Sequence, residues 1–139
     1  METVNLNWQD GLTFAGKAES GITLTASNDQ DEMGKAQGFK PLELLALGVG
    51  ACTGMDVVSI LQKKRQQVSA LEVKVTTERA ELHPRVWTEV KVHYTITGKD
   101  IDPAAVERAI FLSAEKYCAS QNMIKITVEI QHEYKIIEA

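Results

Sequence analysis

The sequence predicts an α+β domain in which an antiparallel sheet is covered by two long helices. Three observations lead to this fold class. Apolar residues alternate with polar residues in six segments, which is typical of strands. Two further segments carry apolar residues at helical spacing. The length of 139 residues suits one domain with one core. We therefore expect a single domain over residues 1–139, with the element order β-β-β-α-β-β-α-β.

The composition is that of a soluble globular protein. Hydrophobic residues make up 44% of the chain and charged residues 24%, and the net charge is −4. The sequence has no Lys/Arg-rich stripe and begins without the basic and apolar segments of a signal peptide. We expect a cytoplasmic protein with no nucleic-acid or membrane partner, whose two cysteines remain thiols.

The first strands should form a three-stranded meander followed by a loop. Val4, Leu6 and Trp8 alternate with polar neighbours, and Asp10-Gly11 is typical of a hairpin turn. The alternation continues through two further strands as far as Leu24. Residues 27–38 are polar and end in glycine, which predicts a loop.

The first long helix is predicted over residues 41–66. Pro41 suits the first helical position, and Glu43 is favourable at the positive end of a helix. The apolar stretch 42–61 is interrupted by Glu43, Asp56 and Ser59, which indicates a buried helix rather than a membrane span. Its surface is nevertheless apolar or glycine in nearly every direction. Leaving several hundred Å² of it in water would cost on the order of 10 kcal/mol, so we expect an extensive homodimer.

The second half of the chain should contain a hairpin, a helix and a final strand. The two hairpin strands lie around residues 71–75 and 86–96. Asp102 caps a helix that begins at Pro103 and runs to about Ser120. The alternation over residues 124–136 predicts the last strand and places His132 on its apolar side. That position favours a hydrogen-bonded core or interface histidine over a role near the thiols.

The two cysteines, Cys52 and Cys118, are the candidate chemical groups. Neither belongs to a C-x-x-C pair and no second ligand pair for zinc exists, so no metal or cofactor is expected. One interpretation is two inert buried thiols. The pattern Gly-Ala-Cys-Thr-Gly over residues 50–54 has the form of a nucleophile elbow, but an elbow requires a preceding strand and this segment reads as helix.

The segments KPLELL (40–45) and GACTGMDVVSIL (50–61), with a second cysteine after Tyr117, resemble the OsmC/Ohr family of osmotically inducible and organic hydroperoxide resistance proteins. The strand and helix order matches this family over essentially the whole chain. The stretch CTGMDVV (52–58) is similar to a less characterised OsmC-like branch. The resemblance implies an intertwined homodimer without a cofactor.

The resemblance also implies a thiol peroxidase mechanism. Cys52 would attack a peroxide and become a sulfenic acid, Cys118 would condense with it to a disulfide, and a dithiol would reduce the pair. In the family, an arginine from the N-terminal strands activates the cysteine and a glutamate at the helix start holds it. Residues 1–16 contain no arginine, and Lys17 is a weak substitute. The glutamate is displaced by one position, because Leu42 lies ten residues before Cys52 and Glu43 lies nine before it. Glu43 lies about 13 Å before Cys52 along the helix, so any pairing must come from the other subunit.

Two function classes therefore remain. The apolar neighbours of Cys52, such as Leu47 and Met55, favour a peroxidase acting on organic hydroperoxides. The alternative is an OsmC-like dimer without peroxidase activity, with structural cysteines and a small apolar ligand pocket. Asp56 is interpreted as a polar anchor, because a carboxylate one turn after Cys52 would raise the pKa of that thiol.

Overall fold

The computed structural model describes residues 1–139, and the α+β class and the predicted element order are confirmed. The strands are β1 (Val4–Asp10), β2 (Thr13–Ala18), β3 (Thr23–Ser27), β4 (Gln67–Arg79), β5 (Trp87–Lys99) and β6 (Ile130–Glu138). The helices are α1 (Pro41–Lys63), α2 (Pro103–Leu112) and a short additional α3 (Ala119–Ile124). The chain divides into two compact units, residues 1–45 and 46–139. That they act as one domain stays a prediction.

The first unit contains the predicted meander. β2 lies between β1 and β3, and both pairings are antiparallel. Leu6 and Leu24 flank Gly16 in the register, so the two leucines share one face of the sheet. Leu6 is 53% exposed and Trp8 is 66% exposed. This sheet therefore presents an open apolar face.

The second unit contains a mixed sheet, which corrects the expectation of a purely antiparallel one. β5 is the central strand; it pairs antiparallel with β4 and parallel with β6. The physical reason for the parallel pairing is the connection between β5 and β6. β4 and β5 are joined as a hairpin, whereas the chain between β5 and β6 passes through α2 and α3, and such a crossover returns the chain in the same direction.

The core of the second unit lies between the sheet and the helices. α1 buries the stripe Val49, Thr53, Val57 and Leu61, which repeats every four residues. This stripe joins a cluster formed by β5, α2 and the connection between them, which consists of Val92, Tyr94, Ile96, Ile101, Ala105, Val106, Ala109 and Ile110. The opposite side of α1 is open, since Leu47 is 53% exposed and Met55 is 72% exposed. By length and composition alone, α1 could also cross a membrane. Core helices of soluble proteins can have the same length and composition.

The glycines of α1 face the chain's own sheet at two positions. A Cβ at Gly50 would lie 3.2 Å from Val75, and a Cβ at Gly54 would lie 3.3 Å from Val73. Two glycines four residues apart thus let α1 approach β4 closely. A Cβ at Gly48 would meet no atom within 4 Å, so this third glycine borders open space.

The second long helix is interrupted, contrary to the prediction of one helix to Ser120. α2 begins at the Asp102 cap as predicted, but it ends at Leu112 and is followed by a π-helical turn, Ser113–Tyr117. Cys118 then has extended backbone angles, and α3 follows. β6 starts at Ile130 rather than at residue 124, because the carbonyl of Ile124 accepts hydrogen bonds from the backbone and hydroxyl of Thr127. The apolar alternation from 124 to 128 therefore belongs to a helix end and a turn.

Candidate functional site

Two thiols and one carboxylate meet on the inner side of α1. The sulfurs of Cys52 and Cys118 and a carboxylate oxygen of Asp56 all lie within 4.8 Å of one another. Cys52 and Asp56 are four residues apart on α1 and therefore share a face. Cys52 is partly exposed, whereas Cys118 is fully buried. A reactant from solvent thus meets Cys52 first.

The π-helical turn explains why Cys118 reaches this cluster. In an α-helix, residues five apart are about 140° apart around the axis, so Ser113 and Cys118 would point away from each other. In the structure, the backbone N–H of Cys118 donates to the carbonyl of Ser113 at 2.8 Å, an i to i+5 bond that stacks the two residues. Cys118 thus lies between the π-helical turn and α3.

Ser120 is a site residue that the sequence reasoning missed. Its hydroxyl lies 3.3 Å from the Cys118 sulfur and 3.4 Å from the carbonyl of Gly48. Interaction with Ser120 also contributes to lowering the pKa of the Cys52 thiol. The Cys118 sulfur in turn accepts the backbone N–H of Gln121 at 3.4 Å. A serine two residues after a cysteine is too common to signal such a role.

The two thiols differ in acidity. Burial opposes ionisation of Cys52, but hydrogen bonds from Cys118 and Ser120 outweigh it and lower the pKa of Cys52. Burial raises the pKa of Cys118, and donating its hydrogen bond to Cys52 raises it further. Asp56 works against ionisation of Cys52 through its negative charge. The arrangement favours a thiolate on the accessible Cys52 and a thiol on the buried Cys118.

A chain of buried hydroxyls leads away from Asp56. Ser113 Oγ donates to Asp56 Oδ2 at 2.8 Å, and Thr53 Oγ1 lies 2.8 Å from both Ser113 Oγ and Tyr94 Oη. Tyr94 Oη lies 3.3 Å from His132 Nδ1, and the two rings stack. Asp56 is thus anchored in the core. The interpretation of His132 as a hydrogen-bonded core histidine agrees with this contact.

The hydrogen bonds of this series of hydroxyls all run in one direction, toward Asp56. A carboxylate only accepts hydrogen bonds, so Ser113 donates to it and has no proton left for Thr53. Thr53 therefore donates to Ser113, Tyr94 donates to Thr53, and His132 donates from Nδ1 to Tyr94. Burial lowers the pKa of His132, which favours the neutral ring, and the bond to Tyr94 assigns its one proton to Nδ1. Burial also raises the pKa of Tyr94 to about 12, so its phenol stays a donor.

Glu43 lies in the first turn of α1. Its carboxylate accepts the backbone N–H of Lys40 at 2.8 Å, which satisfies a free donor at the helix start. This contact accounts for the residue as a helix cap. A role for Glu43 beside Cys52 stays a prediction, and so does any role for the exposed Lys17 of β2.

A groove of about 930 Å³ lies between α2, α3 and β6. Apolar side chains such as Phe111, Ile126 and Ile130 line it together with charged ones such as Glu107 and Lys125. His132 and Gln121 also line it. Neither cysteine does. The expected small apolar pocket around the thiols is therefore not this groove, which lies at the far end of the hydroxyl chain.

The α+β fold and the two neighbouring thiols beside a long helix define a class of two-cysteine proteins. Comparison with known proteins shows which family this is. The family model described as "OsmC-like protein" matches residues 34–133, and the chain belongs to this family. It is 41% identical to Protein YhfA of Escherichia coli strain K12 over 134 residues, which covers 96% of this chain and 97% of YhfA. The predicted resemblance is confirmed.

Solved structures show the same fold. A hypothetical protein from Aquifex aeolicus is 30% identical and superposes with a TM-score of 0.89, covering 100% of this chain and 98% of that one. An organic hydroperoxide resistance protein from Elizabethkingia anophelis superposes with a TM-score of 0.75 at 14% identity, covering 99% and 96%. At that identity the likeness concerns the fold alone.

Proposed function

We propose that this protein is a thiol-dependent peroxidase that reduces organic hydroperoxides through Cys52 and Cys118. The observation that carries the proposal is the pairing of a partly exposed sulfur with a fully buried one within 4.8 Å. A disulfide requires the two sulfurs to close to about 2.05 Å. The Cys52 sulfur can therefore react with the peroxide, and the Cys118 sulfur lies beside it for disulfide formation.

The reaction proceeds in two chemical steps. The Cys52 thiolate attacks the distal oxygen of ROOH, the O–O bond breaks, and the alkoxide takes a proton and leaves as ROH. Cys118 then loses its proton and attacks the Cys52 sulfur, an S–S bond forms, and the sulfenic hydroxyl leaves as water. Overall one thiolate, one thiol, one proton and ROOH give a disulfide, ROH and water. A dithiol reductant restores the pair by thiol–disulfide exchange.

The neighbourhood of Cys52 favours an organic hydroperoxide over hydrogen peroxide. Met55, three residues after Cys52 on α1, is 72% exposed and provides apolar surface for an alkyl group beside the thiol. Membership of the OsmC-like family supports the same substrate class, since a structural neighbour is named an organic hydroperoxide resistance protein. Cytoplasmic dithiols would serve as reductants.

We also propose that the working form is an intertwined homodimer. Two open apolar surfaces support this: the meander face with Leu6 and Trp8, and the α1 face with Leu47 and Met55. Surfaces of this kind on a small protein mark interaction sites. The partner subunit would bring further side chains, including its Glu43, toward the Cys52 thiol.

The test is a single-turnover reaction with cumene hydroperoxide. The reduced wild type should lose both thiols and give a Cys52–Cys118 disulfide by mass spectrometry. Cys52→Ser should consume no peroxide, because the buried Cys118 cannot meet it. Cys118→Ser should consume one equivalent and stop at a sulfenic acid that dimedone traps. Equal behaviour of the two variants would contradict the assignment.

The second candidate is an OsmC-like binding protein without peroxidase activity. It is favoured by one observation: no lysine, arginine or histidine forms an ion pair or a hydrogen bond with Cys52 or Asp56. Under this alternative, an apolar ligand would occupy the groove beside Phe111 and Ile130. Retention of both free thiols after excess cumene hydroperoxide would favour this alternative and eliminate the peroxidase.

A further inference from the structure

We propose that Cys52, Cys118 and Asp56 form a binding site for one thiophilic divalent cation, of which Zn²⁺ is the physiological candidate. The donor atoms are two sulfurs and one carboxylate oxygen within 4.8 Å of one another. Tetrahedral zinc holds such ligands about 3.5–3.8 Å apart. Small side-chain rotations therefore suffice to close the site around the ion.

The charges in the cluster point to a cation. Three groups that can each carry a negative charge converge there, and Asp56 forms no ion pair with a basic side chain. For a thiolate that works alone, a carboxylate one turn away is a disadvantage. For a thiolate that binds zinc, the same carboxylate is a third ligand. The position of Asp56 is thus explained better by metal binding than by nucleophilic catalysis.

Two of the proposed ligands are oriented by hydrogen bonds from outside the cluster. Ser113 donates to Asp56 Oδ2, which leaves Oδ1 available for the ion. Gln121 donates its backbone N–H to the Cys118 sulfur at 3.4 Å. Protein metal sites have this second layer of partners, which fixes ligand orientation. The hydroxyl chain behind Ser113 gives Asp56 a fixed position.

The donor set selects the class of metal. Two thiolates exclude Mg²⁺ and Ca²⁺, which require oxygen ligands, and favour Zn²⁺ or Cd²⁺. With three protein ligands, the fourth tetrahedral position belongs to water, and the partial exposure of Cys52 provides the entry path. Binding releases the protons of whichever thiols are not yet ionised.

The consequence for redox chemistry follows from the shared sulfurs, and it rests on the proposed peroxidase function. A bound ion occupies both thiolates, so peroxide should react more slowly with the metal-bound protein. A Cys52–Cys118 disulfide removes two of the three ligands, so the oxidised protein should not bind the ion. Metal occupancy and oxidation would be mutually exclusive states of one site.

The experiment is a titration of reduced, metal-free protein with Cd²⁺ under anaerobic conditions, followed by thiolate-to-cadmium charge-transfer absorption, with Zn²⁺ as competitor. We expect one ion per chain. Cys52→Ser and Cys118→Ser should each lose about half of the absorption. Asp56→Asn should keep the absorption but lower the affinity at least about 10- to 100-fold, the loss typical of removing an outer partner. Asp10→Asn, an exposed control, should bind like the wild type.

The result that would overturn the proposal is an affinity unchanged in Asp56→Asn or in either cysteine variant, or absence of the charge-transfer band. Binding at surface histidines would give this outcome. Ser113→Ala keeps all three ligands and should weaken binding about 10-fold or more, which gives a second test if Asp56→Asn does not fold. None of these readouts uses peroxide, so the metal site and the peroxidase proposal can fail independently.

Discussion

Thr53→Val removes one hydroxyl from the buried chain while keeping the shape of the side chain. Thr53 has no exposed surface, and its Oγ1 lies 2.8 Å from both Tyr94 Oη and Ser113 Oγ. Valine leaves the Tyr94 hydroxyl without an acceptor and Ser113 without its donor. A buried polar group that loses its partner costs about 1–3 kcal/mol. We therefore expect the free energy of unfolding to fall by about 2–4 kcal/mol.

The assay is urea denaturation at one fixed protein concentration, since dimerisation would make the apparent stability depend on concentration. Thr53→Ser keeps the hydroxyl and loses one methyl group, so it should cost only about 1 kcal/mol. Thr88→Val, at an exposed position of β5, should change the free energy of unfolding by less than about 0.5 kcal/mol. If Thr53→Val were no more destabilising than Thr53→Ser, the hydroxyl chain would not contribute as described.

Two further predictions concern pH and assembly. Because folding raises the pKa of Tyr94 from 10 to about 12, the folded state holds the phenolic proton more tightly than the unfolded state. This difference contributes up to about 3 kcal/mol to the free energy of unfolding, fully present below pH 10 and lost as the pH rises from 10 to 12. Denaturation curves of Tyr94→Phe should lack that part of the alkaline loss of stability. An identical loss in wild type and variant would contradict the assignment. Sedimentation velocity at micromolar concentration should give a species of twice the 15.3 kDa chain mass. Met55→Glu should shift this species toward monomer. A well-folded wild-type monomer would show that the open face of α1 is not a dimer surface.

Local sequence signals were sufficient for most of the fold. The alternation at Leu6 and Trp8 gave the meander, and Pro41 and Asp102 marked the helix starts at the correct residues. These elements follow from chemistry within a few residues. The parallel pairing of β6 needed the path of the whole crossover, and the region after Leu112 has ordinary helix-forming residues, so neither was visible in a local pattern.

The candidate site was predictable only in part. Cys52 and Cys118 are rare residues and were found at once, and a family motif surrounds Cys52. Thr53, Tyr94 and Ser113 were not found, because Tyr94 lies 41 residues from Thr53 and Ser113 lies 60 from it. Common polar residues at such separations give no signal in a single sequence. Only tertiary packing shows that their hydroxyls form one chain.

The π-helical turn makes the orientation of the second thiol depend on backbone conformation as well as on residue identity. If the turn became α-helical with every residue kept, Cys118 would rotate by about 100° and leave the face that Ser113 occupies. Deleting one residue from the turn, such as the exposed Lys116, has the opposite result. Cys118 would then follow Ser113 by four positions in an α-helix, about 40° from it, and would keep its face. When relatives are aligned, a one-residue gap here is therefore compatible with an unchanged position of the second thiol.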